Sequence, residues 1–394
     1  MATGEGVRSK RLETFILNPL MPKETSVHIE SISCSVLRIP LAIPTADAIR
    51  QHNHRDYALI RIHADNGLEG HAYCLEGVSV AAALETLFSE MLVGEDPFDT
   101  RRIWERMYRI SLQAGRRGAG LRALSLVDNA LWDLKGKALD LPLYKLLGGY
   151  RDRVPAYASG GYFREGKTPD DLAQEMLSYV EMGFTAVKMK VGRLSPEQDA
   201  ERVKAVREAI GPSIRLMVDA NNAWSDLPTA LQFIRRVEPY DLFWLEEPTL
   251  PDAVELSARI AAATSIPIAT GEIESTRWGF QALIESKAAA ILQPDVTVVG
   301  GVTEFMRVAD AASARDLPVA PHYFWDMHAH LIAALPNGLF VEHFVHDDIV
   351  NFDLALERPW TAQNGEIVLP NEPGFGLALD EDKIKAFTLT HWSN

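Results

Sequence analysis

TAVKMK at 185–190, IRLMVD at 214–219, LFWLEE at 242–247 and PIATGE at 267–272 are short apolar or β-branched runs, each ending in a charged side chain. The same kind of run continues at AILQPD (290–295), LPVAPH (317–322) and LFVEHF (339–344), and VPAYAS (154–159) precedes them all. Helical stretches such as PEQDAERVKAVREAI (196–210) and DLPTALQFIRRVEP (226–239) lie between most of them. From the second run onward the notable end residues are 190, 219, 246, 272, 295, 322 and 342, at steps of 20 to 29 residues. One strand, one helix and two loops need about that length. Eight such units predict an α/β chain closing into a (β/α)8-type barrel, with its chemistry at the C-terminal strand ends. The open, doubly wound alternative loses its main support, because neither a GxGxxG between strand and helix nor a GxxxxGK[ST] occurs.

The flanking sequence behaves differently. HIESISCSVLRIPL (28–41), a Pro-containing loop and YALIRIHADNG (57–67) predict a small β-meander, with a hairpin at Asn66-Gly67 leading into GLEGHAYC. Leu124, Val127, Leu131, Leu134 and Ala138 then form one apolar stripe of a long helix. The predicted organisation is an exposed arm at 1–25, an α+β unit at 26–150, the barrel at 151–352 and a tail at 353–394. The tail carries the strand pattern GEIVLP (365–370) and is expected to pack back on the N-terminal unit.

Composition narrows the partners. The 394 residues allow two domains, or one large barrel with additions. Lys plus Arg number 39 against 54 Asp plus Glu, a net charge of −15, which argues against nucleic acid or an anionic membrane as main partner. Cys34 and Cys74 stand alone, so no disulfide framework or zinc knuckle is expected, and a cytoplasmic location fits. The first 25 residues lack the apolar core of a signal peptide, and no run of 18 uncharged apolar residues suggests a membrane span.

Charges at seven consecutive strand ends would be costly to bury unless they serve a purpose. Asp219, Glu246 and Glu272 end three successive strands, so their carboxylates are expected to converge. Three hard oxygen ligands without Cys or His select Mg²⁺, with Mn²⁺ as a substitute. Each acid alone could instead cap the following helix, but three in register favour a metal. Alternation points Glu247 away from them. Lys188 and Lys190 share one strand face, expected to be the barrel interior. There Lys190, beside a second cation and near a divalent ion, is predicted to have a lowered pKa suited to a base, and Lys188 to hold a substrate carboxylate. Asp295 and His322 sit on adjacent strands, where the carboxylate could fix the imidazole tautomer. Glu342 could bond a substrate carboxylate oxygen. His328 and His330 lie in an apolar helical run without a third ligand and read as structural.

AVKMKVG, MVDANNAW, WLEEPT, ATGE, QPDVTVVGG, APHYFWD and VEHF, in this order and spacing, resemble the mandelate racemase subgroup of the enolase superfamily. GLEGHAYC and ALSLVDNALWDLKGKALDLPLYKLLGG extend the resemblance to the N-terminal unit. The resemblance implies a (β/α)7β modified TIM barrel under an α+β capping domain completed by the C-terminal segment. It implies Mg²⁺ on Asp219, Glu246 and Glu272, Lys190 and His322 as acid/base groups on opposite substrate faces, His322 held by Asp295, Lys188 on the substrate carboxylate and Glu342 on the enolate oxygen. The chemistry implied is abstraction of a proton α to a carboxylate through an enediolate.

Reprotonation of that intermediate would give a racemase or epimerase, and loss of a β-hydroxyl a dehydratase. The polar segment His52-Asn53-His54-Arg55-Asp56, expected in a cap loop, suits a polyol better than an aromatic ring. The expectation is therefore a sugar-acid dehydratase acting on an aldonate or aldarate, with Asn221, His52 and His54 as further substrate contacts. Arg116 and Arg117 could meet a second carboxylate, but read first as a solvated pair at a helix start. A muconate-type cycloisomerase is less favoured, since such relatives usually have lysine where His322 stands. A non-catalytic acid-binding relative would leave the buried charges unexplained. The resemblance also implies a homo-oligomer, an octamer or smaller.

Overall fold

The computed structural model describes residues 27–346 and 349–394, so the expected arm at 1–25 lies outside the described residues. The cap begins with three antiparallel strands, β1 (Ile29–Ala46), β2 (Gln51–Ala64) and β3 (Glu69–Leu75). Helices α1 (Gly77–Leu87), α2 (Ser89–Leu92), α3 (Thr100–Ala114), α4 (Ala119–Ala138) and α5 (Leu143–Leu146) follow. Gly67, at φ +82°, supplies the left-handed residue of the hairpin between β2 and β3. In α4, Leu124, Val127, Leu131 and Leu134 are all buried in the cap core, as their spacing predicts.

The barrel alternates β4 (Arg153–Ser159), α6 (Pro169–Glu181), β5 (Ala186–Lys190), α7 (Pro196–Ile210), β6 (Arg215–Asp219), α8 (Leu227–Val237), β7 (Leu242–Glu246), α9 (Val254–Ala261), β8 (Ile268–Thr270), α10 (Thr276–Glu285), β9 (Ile291–Leu292), α11 (Gly301–Ser313), α12 (Trp325–Ala334) and β10 (Val341–Phe344). The seventh predicted strand, LPVAPH, is reduced to Val319, which bridges Leu292 on one side and Gly338 on the other. Parallel pairing of β10 with β4 closes the ring. Among the described residues no helix of the ring follows the eighth strand, which makes the fold (β/α)7β rather than (β/α)8. Local sequence starts the helices: Thr168 and Ser195 close capping boxes with Asp171 and Gln198, Asp226 caps α8, and a proline stands in the first turn of each.

Tyr157, Ala186, Met217, Trp244, Ala269, Ile291, Ala320 and Phe340 form one core layer inside the ring, one residue from each strand position. Three alanines make room for the larger side chains there, so the layer fills the barrel and makes an apolar floor under the strand ends.

The polar segment expected in a loop is strand instead. β1 runs on through Ala46, and β2 begins at Gln51 and carries His52 to Asp56. The pairing shifts register between Pro40 and Thr45, where the prolines interrupt the ladder without ending it. The tail also divides in a way its pattern did not foretell. GEIVLP forms β11 (Glu366–Val368), which pairs with barrel strand β4, whereas β12 (Thr388–Ser393), after helix α13 (Glu381–Phe387), adds to β1 of the cap. GEIVLP therefore packs on the barrel, and the last residues alone extend the cap sheet.

Cap and barrel are locked by buried polar contacts. Thr303 donates to Asp128 through its backbone N–H and its hydroxyl (2.8 and 2.7 Å), and Trp104 Nε1 donates to the Gly300 carbonyl (2.7 Å). The tail is pinned by Asp133, which accepts from the backbone N–H groups of Phe375 and His71 (2.8 and 2.9 Å). Gly374 has φ +69°, and a Cβ there would lie 2.1 Å from Asp133 Oδ1. Gly374→Ala is expected to cost about 1–3 kcal/mol by overpacking, read as a lower urea midpoint with an unchanged m value.

Candidate active site

Asp219 ends β6 and Glu246 ends β7, while Glu272 stands two residues beyond β8. Parallel pairing sets Asp219 opposite Glu246. Ligand oxygens of the three carboxylates lie within 4.8 Å of one another. Trp244 Nε1 and Gln293 Nε2 both donate to Glu246 Oε2 (2.9 and 2.8 Å), and the Asn221 backbone N–H donates to Asp219 Oδ1 (2.8 Å). These contacts orient the carboxylates so that their remaining oxygens converge. Burial raises Glu246 to about 8 against the pull of Lys188, with Asp219 adding to the rise, and burial likewise raises Glu272. Glu272 Oε2 is buried without a hydrogen-bond partner. A crowded set of hard oxygens, one of them unpartnered, fits Mg²⁺.

Lys188 and Lys190 come from the neighbouring strand β5 and face the cluster. Lys190 Nζ lies 2.5 Å from Asp219 Oδ2, and Lys188 Nζ lies 2.5 Å from Glu246 Oε1 and 2.8 Å from Glu342 Oε1. The predicted lowering of the Lys190 pKa is not what these side chains by themselves produce. Burial and Lys188 push it down, but Asp219 and Tyr162 outweigh them and hold it well above the ordinary lysine value. The expected sign requires a divalent cation neutralising the same carboxylates.

On the other flank His322, three residues past Val319, places Nδ1 2.9 Å from Asp295 Oδ2 and Nε2 3.6 Å from Glu272 Oε1. The Asp295 carboxylate also accepts from the backbone N–H and hydroxyl of Thr297 (2.7 and 2.8 Å), which orients it. Burial opposes the imidazolium, yet Glu272, the bond to Asp295 and Glu342 raise His322 to about 9. Glu342, on β10, accepts from the Tyr323 N–H (2.8 Å) and is lowered to about 2, since Lys188 and His322 outweigh its burial. All the strand-end candidates thus meet at one end of the ring.

A cavity of about 850 Å³ opens above them, roofed by the cap. His52 and His54 line it, His52 bonded to Asp47 (3.2 Å) and His54 near Asp56 (3.7 Å). Asn221 also lines it, with Nδ2 on Asp219 (3.2 Å) and Oδ1 unpartnered. Glu247 lines it too, contrary to simple alternation: its φ of +41° leaves the extended conformation, and its carboxylate accepts from Asn222 Nδ2 (2.9 Å). Arg116 and Arg117 line a separate cleft, where Arg117 pairs with Asp252 (2.8 Å) and Glu274 (3.1 Å). His328 accepts from the Val296 N–H (2.9 Å) and His330 from the Tyr144 N–H (3.2 Å), so both are buried structural groups.

Arg55 of the polar segment and Tyr323 of APHYFWD also line the cavity, and Asp47, Arg122 and Tyr162, which no motif flagged, complete the wall. Tyr162 lies under Lys190, whose Nζ is 4.9 Å from its ring centroid. The glycine pair before Tyr162 was the available signal, since a turn just past a barrel strand end faces the site.

A capped α/β barrel whose strand ends hold three carboxylates, flanked by a lysine pair and an Asp-held histidine, defines the class: a metal-assisted acid/base enzyme of the enolase type. The C-terminal part matches the enolase C-terminal domain-like family over residues 171–383, and the N-terminal part matches the mandelate racemase/muconate lactonizing enzyme N-terminal domain over residues 31–148. The chain belongs to the mandelate racemase/muconate lactonizing enzyme family of the enolase superfamily. It is 37% identical to arabinonate dehydratase of Saccharolobus solfataricus over 311 residues, 78% of this chain and 82% of that one. It is 33% identical to D-galactarolactone cycloisomerase of Agrobacterium fabrum over 378 residues, 92% and 99% of the two chains. The crystal structure of L-talarate/galactarate dehydratase from Salmonella typhimurium, liganded with Mg and L-lyxarohydroxamate, superposes with a TM-score of 0.87 at 31% identity, covering 100% of this chain and 99% of that one. Among the described residues no helix is long and apolar enough to cross a membrane.

Because Lys188 and Lys190 already offset part of the carboxylate charge, EDTA-treated protein is expected to remain folded. Mg²⁺ at 100 times its Kd should then add about 2.7 kcal/mol of stability, measured as a shift of the urea midpoint. Glu272→Ala should remove most of that shift.

Proposed function

We propose that this chain is a Mg²⁺-dependent sugar-acid dehydratase that converts an aldonate or aldarate to a 2-keto-3-deoxy acid through an enediolate. The observation that carries the reading is the pairing of Lys190 with the Asp295-held His322 on either flank of the carboxylate cluster, beneath a polar cavity. Similarity to dehydratases of sugar acids supports it. Bound Mg²⁺, held by Asp219, Glu246 and Glu272, would neutralise those acids, free Lys190 from its ion pair and stabilise negative charge on the substrate carboxylate.

Neutral Lys190 takes the α proton as the electron pair moves into the carboxylate. Lys188 lies against the developing charge, and that contact strengthens as the charge grows, which lowers the barrier; Glu342, ionised while Lys188 and His322 face it, donates to the enediolate oxygen only in its protonated form, once those cations turn to the substrate. The imidazolium of His322 then gives its proton to the β-hydroxyl as the C–O bond breaks, releasing water. The resulting enol tautomerises to the 2-keto acid. Asp295 holds His322 in the orientation that presents Nε2 to the substrate. The apolar floor of Tyr157, Trp244 and Phe340 keeps solvent from below the reacting atoms.

Proton NMR of sugar acids with enzyme and Mg²⁺ in D₂O tests this: new methylene signals of a 2-keto-3-deoxy product are expected. Epimer formation without elimination would move the assignment to a racemase or epimerase. A cycloisomerase is the second reading, favoured by the likeness to D-galactarolactone cycloisomerase, and turnover confined to lactones would establish it. We further place the protein in the cytoplasm as a homo-oligomer, an octamer or smaller; two buried free cysteines fit the first, and family membership the second.

A further inference from the structure

The proposed reading leaves open what stands at the far end of the substrate. The cap side of the cavity contains Arg50, Arg55 and Arg122 against Asp47, Asp56 and Glu76. Most of the acids are already engaged. Asp56 accepts two bonds from Arg38 (Nε 2.7 Å, Nη2 2.6 Å), which lies outside the cavity lining. Asp47 is engaged by His52 Nε2 (3.2 Å) and by the backbone N–H groups of Ile49 and Arg50 (2.8 and 2.7 Å). Glu76 lies 3.8 Å from Arg50.

Two guanidinium groups therefore face the cavity without a carboxylate at ion-pair distance; Asp295 feels Arg122, and Asp47 feels Arg55, only at longer range. Arg55 is tethered by Nε to the Ile349 carbonyl (2.8 Å) and by Nη1 to His52 Nδ1 (3.2 Å), so its cation is held in place by a carbonyl and a ring nitrogen. Arg122, half-buried in the first turn of α4, has neither a hydrogen-bond nor an ion-pair partner for its guanidinium among the described residues. Half-burying a long cation without an ion-pair partner loses hydration that a longer-range charge such as Asp295 restores only in part, and an incoming anion restores the rest.

We propose that Arg122, with Arg55 as a second cation, binds a distal carboxylate, and that the substrate class is the aldarates, sugar diacids, rather than the aldonates. This rests on the dehydratase reading. The reacting carboxylate goes to Lys188 and the metal cluster on the barrel side, and the carboxylate at the other end of the chain goes to the cap arginines. An aldonate would place a neutral hydroxymethyl group there and leave Arg122 unmatched.

The test is kcat/KM for matched pairs of hexarates and hexonates of the same configuration, with wild type and with Arg122→Gln and Arg122→Lys, in the presence of Mg²⁺. A site built for a polar group rejects the analogue lacking it strongly, and a preference for the diacid of about 100-fold or more is expected. Arg122→Gln should collapse that ratio towards 1, chiefly by raising KM for the diacid, and Arg122→Lys should restore part of it. The Mg²⁺-induced shift of the urea midpoint verifies that each variant is folded with its metal site intact. A wild-type preference for hexonates, or a ratio unchanged in Arg122→Gln, overturns the proposal while the dehydratase reading stands. Absence of both turnover and α-proton exchange in both series overturns the dehydratase reading, and this proposal with it.

Discussion

Lys190→Ala is expected to lower kcat by about 10²–10⁴-fold, the usual contribution of a positioned general base. For a substrate whose α proton faces β5, the variant should lose α-proton exchange with D₂O together with product formation, because both need the same proton transfer. Ligand and Mg²⁺ binding should persist, since Lys188 still pairs with Glu246 and Glu342 and the three carboxylates proposed to hold the metal are untouched. Isothermal titration with Mg²⁺ and a single-turnover exchange experiment read the two halves separately. Near wild-type exchange in Lys190→Ala would remove this residue from the acid/base role.

His322→Asn should cost about the same in product formation but leave a different signature. If Lys190 takes the proton and His322 protonates the leaving hydroxyl, exchange survives while elimination is lost. Substrates of the opposite C2 configuration should reverse the pattern, because the α proton then faces His322. Asp295→Asn probes the support of the same group. A neutral amide cannot hold the imidazolium as the carboxylate does, and a fall in kcat of about 10³–10⁴-fold is expected. The pH dependence follows with a defined sign. Burial lowers the His322 pKa, whereas Glu272, Asp295 and Glu342 raise it, to about 9. An acid of raised pKa works below that value and fails as pH rises through it. Removing the Asp295 charge therefore moves the alkaline limb of kcat to lower pH, and a limb unmoved in Asp295→Asn would show that another group titrates there.

Much of the reacting centre was legible because barrel strands announce themselves one at a time. An apolar run ending in Asp, Glu, Lys or His carries its own reason for being at a strand end, and regular spacing places the ends in one ring. The pairing of Asp219 with Glu246 and the contact of His322 with Asp295 follow from neighbouring strands. Where the strand itself fails, as at Val319, the spacing still delivers His322 to the right height.

The cap side of the cavity was harder to read. β1 and β2 outrun their apolar patterns, so a polar stretch that looked like a loop is a paired strand lying against the cavity. Arg116 and Arg117 drew attention as an adjacent pair, yet they face another cleft, and Arg122, a single arginine on an ordinary helix, faces the cavity. GEIVLP carries nothing that distinguishes a barrel partner from a cap partner. Glu247 reaches the cavity only because its backbone leaves the extended region that alternation assumes.

The sequence by itself thus determined the barrel, the order of its strands and the convergence of the carboxylates, the lysine pair and the Asp-held histidine, since each depends on residues close along the chain and on a repeating period. Only the tertiary structure decided which cap side chains reach the substrate space, which acids there are already neutralised and which cations are not. Those outcomes depend on how two separately patterned units dock, and side chains hundreds of residues apart come into contact through that docking alone.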